Sequence, residues 1–68
     1  MSAEAPKVGA ARELQDQAEF MLERARDLAK EASTESDKKK RKMLEEEARD
    51  FAEKAQEFTR IAREMVQE

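Results

Sequence analysis

Residues 44–65 read LEEEARDFAEKAQEFTRIAREM, and their seam falls at Leu44, Ala48, Phe51, Ala55, Phe58, Ala62 and Met65. Steps of four and three alternate without a break. That spacing keeps one stripe of a helix turned toward a neighbouring helix. The first half of the chain repeats it, at Ala11, Leu14, Ala18, Met21, Ala25, Leu28 and Ala32. In heptad letters the alanines stand at a and the large residues at d. Alanine at each a lets two helix backbones approach closely, because no bulky side chain holds them apart. The pattern predicts an all-α fold: an antiparallel two-helix hairpin, an alanine-seamed coiled coil, that dimerises into a four-helix bundle.

Between the seams lies Ser33-Thr34-Glu35-Ser36-Asp37. Serine, threonine and aspartate compete for backbone hydrogen bonds and favour caps over helix interiors. Thr34 and Ser36 are candidate N-caps of the second helix, with Asp37 in its first turn. The only proline, Pro6, and the only glycine, Gly9, stand near the start. Proline disfavours helix at Ala5, and Gly9 is a tolerable N-cap. The expected layout is a flexible tail at 1–9 and a hairpin over 10–68. Within it, helix 1 spans about 10–32, the loop about 33–36 and helix 2 about 37–67. Helix 2 would be longer by roughly two turns of 3.6 residues.

Composition limits what this chain can do. Charged residues make up 46% of its 68 residues and hydrophobic ones 38%, much of that alanine. A chain this short seldom buries enough apolar area alone without disulfides, metals or association. It has no cysteine and no histidine, which removes disulfides, thiolate metal sites and the commonest catalytic base. Partly apolar e positions (Val8, Leu22 and Ala29; Ala52, Thr59 and Val66) widen the stripe beyond what one hairpin covers. Association with a second copy is therefore expected. The thirteen seam residues from Ala11 to Leu28 and from Leu44 to Met65 are the candidate oligomer contacts.

The alternation of small a and large d residues resembles the Rop family of small plasmid regulators. In that family a two-helix hairpin dimerises into a four-helix bundle and binds paired RNA loops through one face. The resemblance implies an exposed phenylalanine on helix 1 for that face, and Phe20 would correspond. Its neighbours Asp16, Glu19, Glu23 and Asp27 depart from the pattern, because carboxylates repel phosphate.

Two surface features remain. Phe20 stands at c, off the seam, and aromatic residues are enriched in protein interfaces. Lys38, Lys39, Lys40, Arg41 and Lys42 form a basic run. Residues 1–34 carry −2, residues 35–42 carry +3 and residues 43–68 carry −4, so the positive charge is local. Cations in the first turn of a helix oppose its dipole. Arg41 with Glu45, and Lys42 with Glu46, stand at ion-pair spacing. The run has no aromatic residue to stack on bases. Met43 at c and Ile61 at g are expected to widen the core.

No carboxylate pair shows a sign of burial, and neither a glycine-rich phosphate loop nor a Glu-x-x-His motif exists. The chain is expected to be no enzyme and to need no cofactor or metal. No apolar run approaches the ~18 residues of a membrane span, and Met1–Val8 lacks the apolar core of a signal peptide. The expectation is a cytoplasmic interaction module, acting as adaptor, regulator or inhibitor and partnered by itself and by another protein. A Rop-like RNA-binding regulator is the alternative, with nucleic acid the less favoured ligand, and a purely structural scaffold is the third reading.

Overall fold

The computed structural model describes residues 5–67 as two α-helices, α1 (Ala5–Thr34) and α2 (Lys38–Val66). They pack against each other along their lengths, joined by only Glu35, Ser36 and Asp37. So short a connection between packed helices forces them antiparallel. The rod measures 57 × 14 × 10 Å.

Alanine forms the innermost line of contact. The buried side chains are Ala11, Ala18, Ala25, Leu28, Ala32, Ala55 and Ala62, six alanines and one leucine. Ala48 is half-buried, as are Leu14, Met21, Leu44, Phe51, Phe58 and Met65. The seam is thus a line of a positions in near-backbone contact, with the d residues on its flank. An alanine methyl removes far less area from water than the leucine or phenylalanine side chain whose full burial is worth about 1.5–3 kcal/mol. The apolar residues that would contribute most are those left half open.

Both ends of α1 differ from the sequence expectation. The helix begins at Ala5, so residues 5–9 of the expected tail are helical. Residues 1–4 of that tail lie outside the described residues. Pro6 is the second residue of α1, where backbone N–H groups have no intrahelical acceptor and proline's fixed φ suits the helix. Gly9 is therefore helix interior and not an N-cap. At the other end α1 runs on through Ser33 and Thr34. Their hydroxyls turn back onto the helix, donating to the carbonyls of Lys30 (2.6 Å) and Glu31 (3.2 Å). Used this way, neither hydroxyl is left to cap the second helix.

Asp37 starts the second helix, in place of Thr34 or Ser36. Its backbone is extended and its carboxylate accepts from the N–H groups of Lys39 and Lys40, at 3.0 and 3.5 Å through Oδ1. Its carbonyl accepts from Arg41 at 2.9 Å, the first bond of the helix. The N–H of Asp37 itself donates to Glu35 Oε1 at 3.1 Å, which braces the loop. The loop needs neither glycine nor positive φ. The helices come out at 30 and 29 residues, so the expected excess of the second is absent. Gln67 ends α2, its N–H donating to the Arg63 carbonyl at 3.0 Å.

Candidate protein-interaction surface

Each residue turns an α-helix by about 100°, which puts d on one flank of a and e on the other. In an antiparallel pair a two-fold relates the helices, so the d flanks share one side of the rod and the e flanks the opposite side. Surface hollows follow this division. Glu31, Glu35, Lys40, Met43, Leu44 and Glu47 line one on the d side near the loop. Leu22, Ala55, Gln56 and Thr59 line another on the e side, with Arg60 and Arg63 at its rim.

The d side carries the larger apolar residues. Leu14 and Met21 from α1 and Leu44, Phe51, Phe58 and Met65 from α2 are all half-buried there. Ile61 at g is half-buried beside them, as expected of a residue that widens the core. Met43 differs: at 55% exposure it covers no core in this hairpin. Phe20, 63% exposed at c of α1, stands nearly opposite the a line, and its hollow includes the e residue Leu22. Met43 thus extends the d side outward on the rim of α2.

The e side is smaller and more polar. Leu22 is exposed at 37%, Ala29 is exposed, and Ala52 and Thr59 are half-buried. The Thr59 hydroxyl is already used, donating to the Ala55 carbonyl at 2.9 Å. Only at its far end does this side present Val8 and Val66, about half exposed. The sequence argument gave the e positions the task of widening the stripe. In the structure Val8, Leu22 and Val66 at e do stay exposed, and Met43 at c adds to the uncovered apolar surface.

Around Phe20 the carboxylates gather as the sequence predicted, with one change. Asp16, Glu19 and Glu23 line the hollow beside it, joined by Leu22 and Arg26. Asp27 lines a different hollow, with Glu23, Arg26, Ala29 and Lys30.

Lys38, Lys39, Lys40, Arg41 and Lys42 form the first five residues of α2, all exposed, at the loop end of the rod. The expected pairs Arg41–Glu45 and Lys42–Glu46 are not closed. Among the described residues the ion pair within 4.0 Å is Arg60–Glu64, at 3.2 Å, with both side chains more than half exposed. Surface pairs of long side chains gain little over hydration, which leaves such cations free to stay in water. The Asp37 carboxylate occupies the pole of the helix, so the lysine side chains, and not the N-terminal N–H groups, are what this end offers.

Among the described residues no helix is long and apolar enough to cross a membrane. No protein-family model matches the sequence, and no curated protein or solved structure matches it significantly.

Proposed function

We propose that this chain is a helical association module, a hairpin whose d side is completed by a second copy to make a four-helix bundle. One observation carries the reading: the hairpin buries six alanines and one leucine and leaves its d residues Leu14, Met21, Leu44, Phe51, Phe58 and Met65 only half-buried. Association through the d side would cover Leu14, Met21, Phe51, Phe58 and Met65 at once. At about 25 cal/mol per Å² of apolar area, covering what these side chains still expose adds to what the alanine line supplies. Built on this bundle, the chain acts as a non-catalytic adaptor, regulator or inhibitor.

The acidic surroundings of Phe20 count against the paired-RNA reading. Three carboxylates beside the aromatic ring would confront a phosphate backbone with like charge.

The test is the dependence of folding on concentration. A state held together by association melts at a higher temperature as protein concentration rises, by mass action. Sedimentation equilibrium should give twice the chain mass at high micromolar concentration, with the thermal midpoint rising on each tenfold increase. A fully helical monomer there would overturn the proposal.

A further inference from the structure

The outer face of α1, turned away from the alanine seam, has a period of its own. Glu13, Asp16, Phe20, Glu23 and Asp27 follow one another at steps of three, four, three and four. These are c and f positions, and at 100° per residue they point about 140–180° away from the a line. All five side chains are exposed. Among the described residues no cation closes on the four carboxylates; the ion pair within 4.0 Å is Arg60–Glu64, on α2.

The second helix shows what charge alone amounts to. Its outer positions over residues 46–57 are Glu46, Asp50, Glu53 and Glu57, all exposed and with no apolar residue among them. An acidic outer face is thus common to both helices, and exposed carboxylates of this kind keep a helix in water. What α1 adds is an aromatic ring in the middle of the stripe. The hairpin leaves Phe20 uncovered. Position c also lies about 100° from d, so a copy docked on the d side leaves the ring open as well.

The charge around the ring fixes the chemistry of what can cover it. A partner that buries Phe20 must also come down on Asp16 and Glu23, one turn to either side in the same hollow. An anionic surface meets like charge there. A neutral apolar one strips water from the carboxylates and returns nothing. A cationic one finds opposite charge on both sides of the ring. Arginine suits the place best, because its planar guanidinium forks onto a carboxylate and stacks on an aromatic face. The period fixes the shape. From Glu13 to Asp27 the stripe runs about 21 Å at 1.5 Å per residue, and steps of three and four keep it facing a second helix over that length.

We propose that the outer stripe of α1 is a docking surface for an arginine-bearing helix of another protein, with Phe20 as its apolar anchor. The proposal goes beyond the association of copies through the d side and does not rest on it, because the stripe is the same in one hairpin or in two.

The probe is a fluorescein-labelled, alanine-based helix of about 20 residues, long enough to hold its shape alone, with arginines at steps of three and four around a central leucine. At physiological salt the chain should bind it with micromolar affinity. Phe20→Ala should weaken binding about tenfold, as loss of an interface anchor does, with the thermal midpoint close to that of the parent. Asp16→Asn with Glu23→Gln should weaken it comparably and flatten its dependence on salt. Asp50→Asn with Glu53→Gln makes the same change of charge on α2 and should alter binding by less than about twofold, since that face lies beyond a screening length of ~8 Å. Failure of the parent to bind the arginine helix at high micromolar concentration overturns the proposal. An equal loss from the α1 and α2 pairs overturns it too, since the carboxylates of α1 would then be solvated charge like those of α2. An RNA hairpin, or a glutamate version of the probe, whose binding is lost with Phe20→Ala overturns the cationic occupant. A dimeric parent that Phe20→Ala renders monomeric assigns the ring to contact between copies and overturns the docking surface. A monomeric parent that binds the probe through Phe20 upholds it and overturns association alone.

Discussion

The two long sides of this hairpin flank the same line of alanines, yet they leave different chemistry open to water. On the d side stand half-buried phenylalanine, methionine and leucine, with exposed Met43 beyond them. On the e side stand Leu22, two alanines, a threonine whose hydroxyl already has a partner and, at the far end, Val8 and Val66. An alanine seam draws the helices together on a, and the residues on either flank of a then determine which side is still unsatisfied. Size at d against size at e therefore separates the two sides, and the proposed association uses the one with the larger residues.

The comparison breaks most directly by placing one charge on each side. Phe58→Glu puts a carboxylate among the d residues, and an associated pair meets the change twice. Losing a buried aromatic side chain costs about 1.5–3 kcal/mol by area alone, and a buried unpaired charge adds several more. The variant should therefore sediment as a monomer at concentrations where the parent is a dimer. Leu22→Glu makes the same chemical change on the e side and should leave the mass unaltered. If Leu22→Glu dissociates the protein and Phe58→Glu does not, the two sides have been assigned the wrong way round.

A smaller effect separates the seam from its flank. Ala55 is 1% exposed on the contact line, and Ala55→Leu forces extra volume between the helix backbones. Overpacking of this kind costs about 1–3 kcal/mol. Ala29 is also an alanine of the repeat, but at exposed e. Ala29→Leu should shift stability by less than about 0.5 kcal/mol, as surface changes do. Thermal unfolding of both variants at one concentration checks the contrast. Equal shifts would mean that alanine at a is not the line of closest approach.

Much of this was legible in the sequence because fourteen positions agreed on one period. The helical class, the two-helix connection and the alanine line follow from spacing alone, and Ala11, Ala18, Ala25, Ala32, Ala55 and Ala62 are buried as that spacing requires. Other features were not, for separable reasons. Periodicity finds the stripe but not the flank that remains open, since that depends on where the helix contact is centred. With alanine at a the contact moves onto a, and d is displaced to the side. The start of α1 was misplaced because Pro6 was weighed as a breaker, although a first-turn proline removes no helical bond. The cap of α2 had rivals in Thr34 and Ser36, and only the loop geometry gives the task to Asp37. The basic run was visible residue by residue. Its position at one end of a rod became apparent only once the chain was folded back on itself.

The smallest effect isolates helix formation from both sides. Gly9 lies at f in α1, exposed, and a Cβ added there meets nothing within 4 Å. A glycine inside a helix costs about 0.5–1 kcal/mol relative to alanine, because the unfolded chain has more freedom to lose. Gly9→Ala should therefore stabilise, and for a domain this small that corresponds to a rise of about 3–6 °C in the thermal midpoint. Because residue 9 faces neither side, the rise should be the same at every protein concentration, and the dependence of the midpoint on concentration should keep its slope. A drop in the midpoint would have a specific meaning. Alanine is a far poorer N-cap than glycine, so destabilisation would place the start of α1 after Gly9 and return that residue to the capping role its position in the sequence first suggested.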